Sequence, residues 1–345
     1  MKYLAQFSSF SRLASGLVGG ALSMLLFVVS SNADDSERLP KRIVSRWAKD
    51  VDPARPLPEY PRPQLSRPDW VSLNGRWDFA IRPREDQAVE KFDEQIVVPF
   101  PVESTLSGVS RLVGPEKRAW YRRTFRVPAE WRDRRLLLHF GAVDWEAVVW
   151  VNGRQLTTHR GGYDPFSLDV TEALRLDPTS GKVADVDQEV VVAVWDPTDA
   201  GPQPRGKQVR KPEGIWYTPV TGIWQTVWLE PVGSRAIQSL RIEPRADLKS
   251  VAVTALLRDK TTEELKVRVV VPELKIDVEG AAWRPIELNT SAGSPWTPDS
   301  PRLYPMTIEL SGNGQVFDRV ESYFALRSVA IGSDMNGVPR MLLNG

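Results

Sequence analysis

From residue 70 onward, large apolar residues alternate with polar ones in short runs broken by Gly, Pro, Asn and Asp. Residues 147–151 are a run of strand formers, Asn152-Gly153 suits a two-residue turn needing positive φ, and residues 155–159 supply a return strand. Gly161-Gly162-Tyr163 then lets the backbone bend tightly beside an aromatic ring. Residues 70–79 alternate large apolar positions around a second Asn-Gly turn, Asn74-Gly75. Residues 119–127, 136–140, 190–195 and 225–229 read as further strands, and the prolines in 97–101 confine that segment to an edge or a loop. Many short strands with few helical patterns predict an all-β chain, with a β-sandwich or jelly roll over residues 66–235.

A second unit spans residues 236–330. Val251, Val253 and Ala255 alternate with polar or small partners. So do Leu265, Val267 and Val269, and Met306, Ile308 and Leu310. Such strands bury one face in an antiparallel sheet. Ser311-Gly312-Asn313-Gly314 can turn a hairpin, and a segment of this size and pattern suits an immunoglobulin-like sandwich.

Composition narrows the function. The net charge of +1 argues against nucleic-acid binding. There is no cysteine, hence no disulfide framework, thiolate metal site or cysteine nucleophile. The only histidines, His139 in an apolar strand and His159 at the end of the return strand beside the Gly161-Gly162 turn, do not predict a shared metal. No metal or other cofactor is expected. Residues 1–33 read as an export signal: Lys2 and Arg12 are basic, residues 13–29 are uncharged and mostly apolar, and Ser31-Asn32-Ala33 suits signal peptidase. An uncleaved anchor is the alternative. Export without cysteines fits a bacterial periplasm or surface. Residues 34–65 carry clustered prolines and read as an extended lead-in with little core of its own.

The candidate chemistry is sparse. Residues 201–207 fit the phosphate-loop spacing G-x-x-x-x-G-K, but Gln208 stands where Ser or Thr must hold Mg²⁺. Two prolines also remove backbone N–H groups that would cradle phosphate, so the segment is a loop and not a nucleotide site. Asp144 and Glu146, two apart on one strand, are expected to share a face at a solvated edge. Asn152 is read as a turn residue, Phe166 as entering the core, and Asp169 as bonding nearby backbone amides.

Residues 145–169, WEAVVWVNGRQLTTHRGGYDPFSLD, resemble the sugar-binding domain of glycoside hydrolase family 2. That group holds β-galactosidases, β-glucuronidases, β-mannosidases and their relatives. In it a jelly-roll domain, an immunoglobulin-like domain and a catalytic (β/α)8 barrel follow in order. The resemblance implies a galactose-binding-like jelly roll over 66–235, an immunoglobulin-like domain over 236–330, and a linker over 331–345 into a barrel beginning about where this sequence stops. Phe324, Arg327 and Leu343-Asn344-Gly345 match the family's passage into the barrel; one more strand and a turn is the other reading. The family's two catalytic glutamates lie on barrel strands, so no catalytic residue is assigned here.

The implied reaction of a whole family member is retaining hydrolysis of a β-glycosidic bond through a glycosyl-enzyme, with water completing the second step. In the family, a segment like Gly222-Ile223-Trp224 leads into the last jelly-roll strand, and the loop before it reaches the barrel mouth and helps bind sugar. Many members carry an acid shortly before that glycine. Here the nearest acid upstream is Glu213, with Gly214-Ile215-Trp216-Tyr217 between, which departs from galactosidase-type recognition. The candidate sugar contacts are Trp216 and Tyr217 as a stacking platform, with Gln208 in the same loop; packing of both rings on the barrel or neighbouring sheet is the alternative. The expected partner is an oligo- or polysaccharide or other β-glycoside, and homo-oligomerisation is open. A free-standing carbohydrate-binding module and a docking sandwich without glycan affinity are the competing functions. A chain without its barrel is expected to expose apolar surface on the 205–224 loop and the 325–345 tail.

Overall fold

A computed structural model of the chain describes residues 44–345 except 262. The expected leader and the first part of the lead-in lie outside the described residues. The described chain is all-β, with a few single turns of 3-10 helix. Among the described residues, no helix is long and apolar enough to cross a membrane.

The first sandwich packs a six-stranded sheet on a four-stranded one. The larger sheet runs Glu94–Val98, Gly75–Pro83, Lys117–Phe125, Gln188–Trp195, Glu146–Val151, Arg154–Arg160. The smaller runs Val71–Ser72, Val227–Val232, Arg135–Phe140, Phe166–Asp169. Strand register explains the core. Phe79, Tyr121, Val192 and Val149 are successive cross-strand partners and form one inward row. Leu229, Leu138 and Leu168 form the corresponding row of the smaller sheet. A slip of one residue in any strand would send its row to the wrong face.

The two Asn-Gly pairs behave differently. Asn152 (φ 49°) and Gly153 (φ 80°) close the expected hairpin. Asn74-Gly75 does not turn a hairpin. It carries the chain from the smaller sheet to the larger one. Asn74 is buried there: its amide donates to Pro56 O and Thr226 Oγ1 and accepts from Val227 N. Gly75 has φ 112° and lies against the Ala54 carbonyl, so a side chain would be both strained and obstructed.

The second sandwich has a three-stranded sheet, Ile237–Pro244, Ser250–Leu257, Ile286–Asn289, and a four-stranded sheet, Ile276–Ala281, Lys266–Val271, Tyr304–Gly312, Gln315–Phe324. Val269, Ile308 and Val320 form its central row. A final hairpin, Val329–Ser333 with Pro339–Leu343, follows. On it Val329, Ile331, Met341 and Leu343 pair across the strands and remain exposed.

The proline-rich segment is fastened to both sandwiches. Leu65 enters the second core, and Ser66 pairs with Glu321. Glu230, fully buried in the first sandwich, accepts from Tyr60 Oη (2.5 Å), Arg62 Nη2 (2.7 Å), Arg67 Nη1 (3.0 Å) and Trp228 Nε1 (2.6 Å). Arg67 also makes a forked pair with Asp318 of the second sandwich and donates to Ile237 O. His139 stacks on Trp228 at 4.8 Å and bonds Ser167 Oγ, and burial pushes its pKa down to about 3. It is therefore a neutral core histidine at physiological pH.

Burial alone would raise the Glu230 pKa; the Arg62 and Arg67 charges and the Tyr60 hydrogen bond overcome it and hold the group at about 2. Its stabilising contribution is therefore complete above the ordinary value of 4.5 and is lost as pH falls through about 2. Truncation leaves Arg62 and Arg67 without their shared acceptor. Glu230→Ala is expected to destabilise the chain by about 3–5 kcal/mol, read from urea unfolding at neutral pH. A loss below about 1 kcal/mol, the range of an exposed ion pair, would contradict this reading.

Candidate functional site

The strand Gln188–Trp195 ends at Asp196, and the chain then makes a long excursion that returns at the two-residue strand Gly222–Ile223. That strand pairs with Val143–Asp144, placing Gly222 opposite Asp144. Three buried acids hold the excursion. Asp196 accepts from Thr198 N (2.7 Å) at its start and from Thr221 Oγ1 (3.0 Å) at its end. Glu103 Oε2 accepts from Thr221 N at 2.9 Å. Asp144 Oδ2 accepts from Gln208 Nε2 at 3.3 Å.

Glycine is required where the chain closes on these groups. A side chain at Gly162 would run into the Asp144 carboxylate, and one at Gly222 into the Tyr121 hydroxyl. The Gly162 carbonyl accepts from Trp224 Nε1 at 2.8 Å, and Tyr163 meets Trp224 edge-on at 6.3 Å. This gives the Gly-Gly-Tyr motif its physical function: it lies across the start of the last strand and covers Asp144.

The three candidate sugar contacts sit close in the loop but differ in availability. The Lys207 carbonyl accepts from Tyr217 N (2.8 Å), and the Tyr217 carbonyl from Val209 N (3.0 Å), so two arms of the loop run side by side. Tyr217 is 65% exposed and Trp216 40% exposed. Gln208 is committed inward: besides Asp144, its Nε2 faces Tyr163 Oη at 3.4 Å, and its Oε1 accepts from Val220 N at 2.6 Å. The two rings are presented to solvent, whereas the glutamine amide anchors the loop that presents them.

The expectation that Asp144 and Glu146 share a solvated edge is corrected. Asp144 pairs with Gly222 and is buried under the loop. Glu146 starts the next strand and pairs with Arg160 and, at 3.9 Å, Arg118. The two residues belong to different strands, Val143–Asp144 and Glu146–Val151, with different partners, so the alternation of a single strand does not apply.

The electrostatics were not legible in the sequence. Burial, reinforced by the nearby Asp196 charge, raises Glu103 to about 8 and Asp144 to about 7, against the hydrogen bonds they accept. Burial also raises Asp196. Glu103 and Asp196 come from distant segments and were not singled out as candidates. One local signal existed for Glu103: it is the first charge after the apolar run 96–102. Among the described residues, no group of three or more His, Cys, Asp or Glu is placed to hold a metal ion.

Comparison with known proteins places this geometry. Residues 91–199 match the family model "Glycosyl hydrolases family 2, sugar binding domain", and residues 235–327 match "Glycosyl hydrolases family 2". The chain belongs to glycoside hydrolase family 2. It is 25% identical over 301 residues to a β-glucuronidase of Paenibacillus borealis, covering 83% of this chain and 49% of that protein. It is 24% identical to a β-galactosidase of Thermoanaerobacter pseudethanolicus, covering 65% of this chain and 31% of the relative. The solved β-glucuronidase of Ruminococcus gnavus shares the fold, with a TM-score of 0.63 at 20% identity over 81% of this chain and 48% of the other. The chain thus spans half or less of the length of these relatives.

The raised carboxyls have a sign that can be checked. Each binds its proton more tightly in the folded chain, so its contribution is complete below the ordinary values of 3.8 and 4.5 and is lost as pH rises through about 7 and 8. Melting temperature is expected to fall between about pH 5 and pH 9, and Glu103→Gln with Asp144→Asn to flatten that slope. A double variant retaining the full wild-type slope would place the titration elsewhere.

Proposed function

We propose that this chain is the non-catalytic front part of an enzyme that hydrolyses β-glycosidic bonds with retention. The observation that carries the reading is the match of both family models, in order, to two sandwiches spanning half or less of their glycosidase relatives. The catalytic pair of carboxyl groups, about 5 Å apart in a retaining enzyme, belongs in this reading to a barrel outside the two sandwiches. The sandwiches orient that barrel, and the loop bearing Trp216 and Tyr217 borders the sugar. The exposed row Val329, Ile331, Met341 and Leu343 supports the same reading, because apolar hairpin faces of this kind are normally covered. Export to a bacterial periplasm or surface is part of it, supported by the uncharged run at 13–29 and the small residues before Asp34.

The buried acids do not supply an alternative catalytic pair in this reading. Asp144, Asp196 and Glu103 each accept hydrogen bonds that hold the loop, and removing those bonds would release the site. The purified chain is expected to show no turnover of aryl β-glucuronides, β-galactosides or β-mannosides. The full product of the source locus is expected to cleave at least one of them with retention, followed by NMR of the anomeric proton. Turnover by the chain alone, abolished by Asp144→Asn with the fold intact, would overturn the assignment.

The hairpin gives a second check. Ile331→Asp with Met341→Asp is expected to remove concentration-dependent association and dye binding by the isolated chain without changing its melting temperature. Equal association in wild type and variant would show that this face is not the sticky one.

A further inference from the structure

The outer face of the six-stranded sheet carries a charged row. Arg82 and Arg118 are cross-strand partners, as are Trp195 and Glu146, and Glu146 and Arg160. Strand alternation sets these side chains on the face opposite the inward row of Phe79, Tyr121, Val192 and Val149. Two of the arginines have a carboxylate close by: Arg82 pairs with Asp93 at 2.5 Å, and Arg160 with Glu146 at 2.8 Å. Arg118 is matched less well. Its side chain is only 13% exposed, its Nε is buried without a hydrogen bond, and it reaches Glu146, which Arg160 already holds, only at 3.9 Å. Arg84 adds like charge. It sits over the Trp195 ring at 3.6 Å, and that indole is pinned by Nε1 donating to Pro115 O at 2.7 Å. Trp145 meets Trp195 edge-on at 6.3 Å and carries Arg160 at 6.0 Å. Burial pushes the Arg118 pKa down; Glu146 opposes this and the Arg84 charge adds to it. Three guanidinium groups thus gather beside one carboxylate and two indole rings.

We propose that Arg84, Arg118 and Arg160 form an oxyanion site that takes a phosphate or sulfate group, flanked by Trp145 and Trp195. The planar N–H array of a guanidinium matches such a group with two parallel hydrogen bonds. Three guanidinium charges against the single Glu146 carboxylate suit a dianion better than a monoanion. Partial burial of Arg118 weakens the screening that makes ordinary surface charges ineffective. An arginine laid on a fixed indole is already ordered, so it loses less freedom when it binds. The group arrives either as the free anion or as an ester whose organic body lies on the indoles. The proposal does not depend on the chain's place in a glycosidase.

The test uses the whole 345-residue chain. Inorganic phosphate, sulfate and phenyl phosphate are titrated by calorimetry near neutral pH, with ionic strength held constant by sodium chloride. Saturable binding with a Kd of about 1 mM or tighter is expected, weakening as the chloride is raised. Arg118→Gln is expected to weaken phosphate by about tenfold, and Arg84→Gln and Arg160→Gln by about threefold or more each. Arg84 and Arg160 are exposed, so those two variants keep the test open if Arg118→Gln does not fold. Glu146→Gln removes the competing carboxylate and is expected to tighten phosphate by about threefold or more, which loss of a merely structural ion pair would not do. Tighter binding of phenyl phosphate than of phosphate supports the site as one for an ester, and equal binding supports it as one for the free anion. The proposal is overturned if none of the three probes binds saturably, if Arg84→Gln and Arg160→Gln both bind phosphate as the wild type does, or if Glu146→Gln weakens it.

Discussion

One carboxylate joins what would otherwise be three loosely connected pieces. Glu230 is buried in the first sandwich, yet its bonds go to Tyr60 and Arg62 of the preceding segment and to Arg67. Arg67 in turn reaches Asp318 in the second sandwich. Burying a carboxylate is costly unless its charge is matched and its lone pairs are used. Both conditions are met here, which makes the position sensitive to loss of either partner. The relative setting of the two sandwiches, and so of whatever they jointly support, depends on this small network.

A second set of buried acids is arranged on the opposite principle. Among the described residues, no cation pairs with Glu103, Asp144 or Asp196, and they shift up where Glu230 shifts down. Their hydrogen bonds come from neutral donors, Thr221, Gln208 and Thr198, all in one excursion of the chain. The loop that presents Trp216 and Tyr217 is therefore secured by carboxyls that burial pushes up, Asp144 to about 7 and Glu103 to about 8. The framework between the sandwiches is secured by Glu230, whose neighbouring cations hold it down at about 2. The site is the softer of the two with respect to pH.

The architecture was largely legible in the sequence, because period-two alternation and Gly-containing turns report directly on half-buried strands. Leu265, Val267 and Val269 turn inward as the alternation implies, and Asn152-Gly153 closes its hairpin. Asn74-Gly75 carries the same dipeptide but passes between sheets, since Asn74 is held by long-range bonds that no local pattern reports. The site was legible only in part. Trp216 and Tyr217 are exposed in the loop that the sequence singles out. The inward commitment of Gln208 and the burial of Asp144 depend on which loop folds over which strand end. Glu103 and Asp196 stand far apart in sequence and act on each other only after folding. Charge clusters of this kind have no spacing to read.

The central claim is that these two sandwiches are the supporting half of a β-glycoside hydrolase. The most direct measurement is to read the frame at the source locus past the codon for Gly345. An open frame encoding an alternating strand-helix pattern of a barrel's length, with two glutamates at strand ends, is the predicted result. A stop codon at once would contradict the claim for this polypeptide and make glycan binding without cleavage its leading activity.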